Sequence, residues 1–349
     1  MFAAMKSFLA VTLAFPMLAL GCGGDDTAHG SGSTATTVST TTGAGGAGGA
    51  SVAVTTGAGG AGGATTATTT GAGGSENPDC ENLPPGPITP ELVIDVFSGS
   101  EDIAFDGKGH LAGKQGNTVV LVDANGTATD LATLSGTVYG VRYMVRGNLL
   151  AALPQAGKLV EITPAGVVTD YVTGVSGPNG IYPDFDGNVW VTEFGNGKVT
   201  RVNPDKTKDT LLSNLDAPNG IVLDASKTRL YFTEYQQGKV LRLDLQGAAA
   251  PVEIADIVGS APDGLVMDVC GNLYAFDQGN SRLYRIRLDA SGNPTGEPEL
   301  LASFAKNVAN GQFGSGPGFD PKTIYAAGTP GSVYAVPVGV AGAPVPTPL

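Results

Sequence analysis

The sequence predicts an all-β protein, a six-bladed β-propeller that follows a long N-terminal segment of different composition. Three observations predict it: a unit of about forty residues recurs six times, each unit offers four short strands, and the two chain ends can close the ring. Four strands at this period are typical of propeller blades. The main alternative, an open array of β-sandwiches, is disfavoured because the units are of similar length and the last one is split.

The repeat is clearest in the middle of the chain, where a proline precedes Asn-Gly or Asp-Gly. The three copies are Pro178-Asn179-Gly180, Pro218-Asn219-Gly220 and Pro262-Asp263-Gly264. Each copy leads into an apolar strand, a polar turn and a strand with aromatic residues, which is the alternation expected of half-buried strands. Weaker copies extend the series in both directions.

Six equivalent residues mark the repeat, and we call them the ring positions. They are Glu101, Tyr139, Asn179, Asn219, Asp263 and Asn310, and successive members lie 38 to 47 residues apart. Each is predicted to lie in the loop that leads into the innermost strand of its blade. Because the innermost strands of a propeller surround a central channel, the six side chains should converge at one mouth of that channel.

The two ends of the repeat region support closure of the ring. An apolar segment at residues 92–97 precedes the first ring position, whereas the last unit offers only three strands and ends at residues 332–336. We therefore expect the N-terminal strand to complete the C-terminal blade, which leaves no exposed sheet edge at the junction.

The N-terminus predicts export. Residues 1–21 read as a signal peptide with an apolar run at 8–20, too short to span a bilayer. Leu18-Ala19-Leu20-Gly21 directly before Cys22 resembles a bacterial lipobox, which implies cleavage before Cys22 and its acylation. The alternative is an ordinary secretion signal with an incidental cysteine. We expect a lipid-anchored protein outside the cytoplasm, in the periplasm or at the cell surface.

The rest of the chain divides into three predicted parts. Residues 22–89 are rich in Gly, Ala and Thr and should form a disordered tether, because such sequence cannot bury enough apolar surface. Residues 90–340 should form the propeller, and residues 341–349 a C-terminal tail. The formal net charge of −13 makes nucleic acid an improbable partner. We expect a monomer that contacts the membrane only through its lipid anchor.

Two cysteines remain once Cys22 is assigned to lipid. Cys80 precedes the closing strand, and Cys270 lies in a turn between the first two strands of the neighbouring blade. Both positions belong to the face opposite the ring positions. An oxidising compartment would allow a disulfide between them, and two free thiols are the alternative. No cysteine or histidine spacing suits a structural zinc site.

The ring positions form an oxygen-rich set, with two carboxylates and several amides. Hard divalent cations prefer such ligands, and calcium tolerates irregular geometry. The alternative is a purely structural role, because Asn-Gly and Asp-Gly are common turn sequences. Glu101 is not a turn former of that kind, and it favours the cation site.

These residues resemble the gluconolactonase/senescence-marker-protein (regucalcin) family and the related diisopropyl fluorophosphatase over residues 92–340. In those proteins one Glu, two Asn and one Asp from different blades surround a divalent cation. The matching residues are Glu101, Asn179, Asn219 and Asp263. The resemblance implies calcium as the cofactor, with Zn, Mg or Mn as alternatives.

The resemblance also implies hydrolysis of a lactone or related ester, with Asp263 as catalytic residue, either general base or nucleophile. Asn179, Tyr139 and Asn310 would contact the substrate. Sugar lactonases often place an arginine just before the asparagine, whereas this chain has Pro178 there. Arg142 could take over the substrate contact, or it could face outward in a salt bridge.

Two other functions remain open from sequence. NHL-type propellers share the rhythm of residues 186–190, Asp-Gly-Asn-Val-Trp, and many are scaffolds that bind a peptide, glycan or protein. Glu101 argues against a scaffold, which does not need it. A virginiamycin-inactivating lyase usually has seven blades and a histidine at its site, whereas His29 falls in the tether and His110 is expected to be structural.

Overall fold

The computed structural model describes residues 80–247 and 250–348, which form six four-stranded antiparallel sheets. The predicted six-bladed propeller is confirmed. The predicted signal peptide at 1–21, the predicted lipidation site Cys22 and most of the predicted tether lie outside the described residues. Within the described part, one 3₁₀ turn interrupts the strands, and no helix is long and apolar enough to cross a membrane.

The blades follow one another along the chain, and each blade begins with its innermost strand. Blade 1 contains β2 (Ala104–Phe105), β3 (His110–Gln115), β4 (Thr118–Asp123) and β5 (Ala128–Thr133). Blade 2 contains β6 (Val141–Tyr143), β7 (Leu149–Leu153), β8 (Lys158–Ile162) and β9 (Val168–Thr173). Blade 3 contains β10 (Pro178–Pro183), β11 (Val189–Glu193), β12 (Lys198–Val202) and β13 (Lys208–Leu212).

The remaining three blades repeat this order, and the last one is completed from the N-terminal side. Blade 4 contains β14 (Pro218–Leu223), β15 (Arg229–Glu234), β16 (Lys239–Asp244) and β17 (Val252–Asp256). Blade 5 contains β18 (Pro262–Met267), β19 (Leu273–Asp277), β20 (Arg282–Ile286) and β21 (Glu299–Ser303). Blade 6 contains β22 (Asn310–Phe313), β23 (Thr323–Ala327), β24 (Val333–Pro337) and the N-terminal β1 (Glu91–Ile94).

The ring closes as the sequence predicts. Strand β1 pairs antiparallel with β24 in the register Leu92↔Tyr334, so the N-terminal strand is the outermost strand of blade 6. Each innermost strand contacts the next one along the chain, and β22 contacts β2. The apolar core lies between blades: Trp190 of blade 3, for example, packs with Phe232 and Leu241 of blade 4.

The glycine that follows a ring position is required by the close approach of two blades. A Cβ on Gly180 would lie 2.2 Å from the carbonyl oxygen of Asn219, and one on Gly220 would lie 2.3 Å from that of Asp263. Thr233 completes the junction: its hydroxyl donates to the Asp263 carbonyl (2.8 Å) and accepts the N–H of Gly220 (2.8 Å). The repeated glycine is therefore a packing requirement of the fold.

Acidic residues at the ends of the second strands hold the loops that lead into the innermost strands. Glu193 accepts the backbone N–H of Ser176 at 2.7 Å, and Asp277 accepts that of Ala261 at 2.9 Å. Glu234 does the same for the equivalent loop of blade 4. These buried or half-buried carboxylates supply acceptors for loop N–H groups that would otherwise have none.

The C-terminal end of the predicted tether, residues 80–89, packs against the propeller. Residues 80–89 pack along blade 5, where the Ile88 N–H donates to the carbonyl of Leu301 at 2.6 Å. Leu83 is buried in the core cluster between blades 5 and 6. Cys80 and Cys270 form a disulfide with a Cα–Cα distance of 5.7 Å, as the sequence allowed. Contacts with the propeller are therefore already present at Cys80, the first described residue.

The C-terminal tail is also part of the propeller. It crosses the face opposite the ring positions, which we call the base. Ala343 N–H donates to the carbonyl of Met267 (2.8 Å), and Val269 N–H donates to that of Ala341 (3.0 Å). Beneath the tail, the innermost strands enclose a cavity of about 230 Å³. The predicted boundary at residue 340 therefore excludes a segment that packs on the base.

Candidate functional site

The ring positions lie at the start of the innermost strands. Asn179, Asn219, Asp263 and Asn310 are inside β10, β14, β18 and β22, whereas Glu101 and Tyr139 precede β2 and β6. The prediction that all six lie in loops is therefore wrong for four of them. Register shifts between Pro178 and Ile181, and at the equivalent places of blades 4 and 5, show an irregular pairing there. Such a bulge re-aims the side chains beside it.

The turn that precedes these strands lies two residues before the ring position. Gly99, Gly177 and Ala217 have φ values of 70°, 58° and 55°, in the left-handed region. Asn179 and Asn219 are themselves in strands, so a turn role does not explain the residue type at these positions. The alternative reading of the motif as a turn sequence is not supported.

Glu101 and Asp263 interact across the channel. They belong to blades 1 and 5, which are not neighbours in the ring, yet the negative charge of Glu101 raises the pKa of Asp263. Tyr139 of blade 2 interacts electrostatically with both carboxylates. Burial raises its pKa, and the negative charges of Glu101 and then Asp263 raise it further. The side chains of Glu101, Tyr139 and Asp263 are therefore within electrostatic reach of one another.

Asp263 is a buried carboxyl in an acidic environment. It is 5% exposed, and burial raises its pKa well above the usual value, with Glu101 and then Asp102 adding to the effect. A side-chain hydrogen bond with Asn219 opposes this rise. The charged form of Asp263 is therefore costly in the protein alone.

The other ring positions are placed as follows. Asn179 is 9% exposed, and its side chain makes no hydrogen bond within residues 80–247 and 250–348. The carboxamide oxygen of Asn310 accepts the N–H of Gly311 at 2.8 Å and packs on Gly264 of the preceding blade. Asn179 therefore retains donors and acceptors for a ligand, whereas the oxygen of Asn310 is engaged within the fold.

Arg142 lies beneath the mouth. Its guanidinium forms an ion pair with Asp102 and donates to the carbonyls of Val141 (2.7 Å) and Ile103 (3.0 Å). It also lines the cavity under the C-terminal tail. Neither an outward salt bridge nor the predicted substrate contact agrees with this position, because the donors are used inside the channel wall.

The sequence analysis missed three residues at the mouth. Asp102 follows Glu101 where the other five blades have glycine, and its carboxylate accepts the Val141 N–H of blade 2 at 3.0 Å. Lys114 is 8% exposed, and Glu101 interacts with it electrostatically. Burial raises the pKa of Tyr235, and the nearby charges of Asp263 and Glu101 raise it further. The sequence offered a signal for two of these residues, because Asp102 and Lys114 differ in type from the residues at the equivalent positions of other blades.

The donor set fits a hard divalent cation. In the described residues, no group of three or more His, Cys, Asp or Glu side chains is arranged to hold a metal ion. A cation at the mouth would therefore need the amides of Asn179 and Asn219 beside Glu101 and Asp263. Two facing carboxylates without an adequate counter-charge, next to an unengaged amide, are the chemistry that such an ion prefers.

The cavities recorded in the described residues lie elsewhere. The one of about 430 Å³ is at the base between blades 2 and 3 and is lined by Arg146, Tyr171, Phe185 and Lys206 among others. None of the four cavities is lined by a ring position. We place the candidate site at the mouth because the buried acidic groups converge there.

Comparison with protein families agrees with the resemblance expected from sequence. A family model described as the SMP-30/Gluconolactonase/LRE-like region matches residues 196–314. The predicted resemblance to this family is confirmed. The matched region includes Asn219 and Asp263, whereas Glu101 and Asn179 lie outside it. Among curated proteins, none matches the chain significantly.

Solved structures with the same fold are only distantly related in sequence. A gluconolactonase from Xanthomonas campestris is 17% identical, with a TM-score of 0.61 over 73% of this chain and 98% of that one. A calcium-binding regucalcin from Agrobacterium tumefaciens is 16% identical, with a TM-score of 0.61 over 75% and 97%. A virginiamycin B lyase from Staphylococcus aureus is 19% identical, with a TM-score of 0.50 over 69% and 85%. At these identities the likeness establishes the fold.

Proposed function

We propose that the protein is a divalent-cation-dependent hydrolase of a lactone or related ester. The proposal rests on two carboxylates, Glu101 and Asp263, which interact across the channel mouth. Beside them lies an amide side chain that makes no hydrogen bond among the described residues. The match to a gluconolactonase-like region and the gluconolactonase and regucalcin neighbours support the same reaction class.

Glu101, Asn179, Asn219 and Asp263 would hold the cation, which we propose to be calcium, with Zn, Mg and Mn as alternatives. When bound, a divalent cation supplies Lewis acidity that polarises a carbonyl group and stabilises developing negative charge. The two carboxylates would balance its charge. The amide oxygens would complete an oxygen environment suited to calcium.

The protein's own groups then supply proton transfer and orientation. Asp263 acts as general base towards water, or attacks the carbonyl carbon itself as nucleophile. The Asn219 amide, which lowers the pKa of Asp263 by hydrogen bonding, would help to orient its carboxylate. Tyr139 stays protonated because burial and the two carboxylates raise its pKa, so its hydroxyl can donate to a substrate oxygen.

We also propose that the propeller acts outside the cytoplasm, held to a bacterial membrane by acylated Cys22. The disulfide between Cys80 and Cys270 supports an oxidising compartment. Cys80, the first described residue, lies on the base, away from the ring positions. Metabolic labelling with a palmitate analogue checks the anchor, because a Cys22→Ser variant should lose the label and leave the membrane fraction.

Hydrolysis and cation binding can be tested on one preparation. We expect the protein to open simple lactones or cleave aryl esters in calcium, and to lose this activity in a chelator. Calcium should also raise the melting temperature, because an ion that binds only the native state stabilises it. A non-catalytic NHL-like scaffold would show no hydrolysis, and a melting temperature unchanged by calcium and by chelator would contradict the cation site.

A further inference from the structure

Lys114 is a buried cation at the mouth that the proposed chemistry does not use. It lies near the end of β3 and is 8% exposed. The strand registers make Thr192 and Thr233 its equivalents in blades 3 and 4, and each threonine hydroxyl accepts the N–H of the glycine after the ring position. In blade 1 a cationic side chain therefore stands where these blades have a neutral hydroxyl.

The side chain of Lys114 lies against the loop that carries Glu101. Its backbone N–H donates to the hydroxyl of Ser100 at 3.1 Å, and its carbonyl accepts the N–H of Ser98 at 2.9 Å. A Cβ on Gly99 would lie 3.8 Å from both Cε and Nζ of the lysine. These contacts place the ammonium beside the loop, within electrostatic reach of Glu101.

Among the described residues, no hydrogen bond and no ion pair reaches Nζ of Lys114, and Glu101 acts on it only at longer range. Burial lowers the pKa of Lys114, and Glu101 partly opposes the change. The residue is mostly buried, but Nζ is not among the fully buried atoms that lack a partner, so the ammonium stays open to water and available to an anionic ligand.

The charges at the mouth favour an anion beside Lys114. Arg142 neutralises Asp102 through their ion pair. A divalent cation would balance Glu101 and Asp263, which leaves Lys114 as a net positive charge. A single ammonium matches a single negative charge, whereas phosphate sites usually combine several donors.

We propose that Lys114 is a specificity-determining residue that binds a carboxylate group of the substrate. The inference rests on the proposed hydrolase function and narrows its substrate class to lactones or esters that carry a carboxylate. Lys114 would form a charge-assisted hydrogen bond with that carboxylate while the reacting carbonyl lies near Asp263. Neutral analogues would lack this contact and leave the ammonium unpaired.

The test uses the full chain with calcium and two lactones, 5-oxotetrahydrofuran-2-carboxylate and its methyl ester. We expect Lys114→Met to lower the ratio of kcat/KM for the carboxylate to that for the ester by about tenfold or more, since a hydrogen bond to a charged group is worth this much. Lys114→Arg should restore part of the ratio. Lys239→Met, which removes a half-buried lysine of blade 4 that pairs with Glu253, is the charge control. A smaller fall, or an equal effect of both substitutions, overturns the proposal.

A binding measurement separates failure of the anion site from failure of the hydrolase proposal. Calorimetric titration with tetrahydrofuran-2-carboxylate, which cannot be hydrolysed, should show about tenfold weaker binding to Lys114→Met than to the unchanged chain. If neither lactone is hydrolysed but this difference appears, the anion site stands and the hydrolase proposal fails. If the lactones are hydrolysed and binding does not depend on Lys114, the anion site is wrong. A Lys114 that served only as counter-charge to Glu101 would give that second result.

Discussion

Replacing Asp263 by asparagine should stabilise the cation-free protein and abolish its response to calcium. The carboxyl is 5% exposed and faces Glu101 and Asp102, and Asn219 is its hydrogen-bonding side chain. Asparagine keeps the shape and removes the charge. An unpaired buried ion costs several kcal/mol. Relief of about 2 kcal/mol, a fraction of that cost, raises the melting temperature by roughly 4–8 °C for a domain of this size.

The sign of the pH dependence follows from the raised pKa of Asp263. In the cation-free protein the native state holds the proton more tightly than the unfolded chain, so native stability is lost as pH rises through the folded-state pKa. The advantage of Asp263→Asn should therefore widen with rising pH and shrink at acidic pH. Calcium at a hundred times its Kd should stabilise the unchanged chain by about 2.7 kcal/mol and the variant by nothing.

Differential scanning fluorimetry in chelator and in calcium measures both effects, and the lactone assay measures activity in parallel. Asp277→Asn is the matched control, because Asp277 belongs to the same blade and is fully buried. Its carboxylate accepts from the Ala261 N–H (2.9 Å) and the Asn280 amide (2.8 Å), so this variant should lose stability but keep the calcium response. Our reasoning is refuted if Asp263→Asn melts below the unchanged chain in chelator, or still responds to calcium.

Two further predictions concern the fold. Replacing Cys80 and Cys270 by alanine removes a link between residues 190 apart and should lower the free energy of unfolding by about 2–4 kcal/mol, as denaturant titration can measure; hydrolysis by the folded protein should not change. Gly220→Ala should lower the melting temperature by several degrees, because its Cβ would lie 2.3 Å from the Asp263 carbonyl oxygen. Gly296→Ala, where nothing lies within 4 Å, is the control, and an equal effect of the two would contradict the packing argument.

The architecture could be predicted because repeats expose it. The spacing of the ring positions and the unmatched strand at residues 92–97 were sufficient to predict six blades and their closure through β1. The packing of residues 80–89 on blade 5 could not be predicted, because its contacts are with residues two hundred positions away, such as Leu301. The same holds for the tail on the base. Local composition indicates neither contact.

At the site, the residue types could be predicted from the sequence, but their hydrogen bonds and ion pairs could not. Glu101 and Asp263 were predicted from their departure from asparagine, and they do interact. The inward ion pair of Arg142 was not predicted, because a sequence does not show which way a channel-lining side chain extends from its strand. Asp102, its partner, was overlooked beside Glu101.

The departures of blade 1 from the repeat support function over scaffolding. Where the other five blades have glycine after the ring position, blade 1 has Asp102, and its contact with blade 2 is made by a carboxylate instead of close backbone packing. Where blades 3 and 4 have the neutral Thr192 and Thr233, blade 1 has Lys114. Both charges act on Glu101: Asp102 raises its pKa and Lys114 lowers it, after the dominant effect of burial. A propeller selected only for shape has no need to place two charged exceptions beside Glu101, whereas a site that balances a cation and an anionic ligand does.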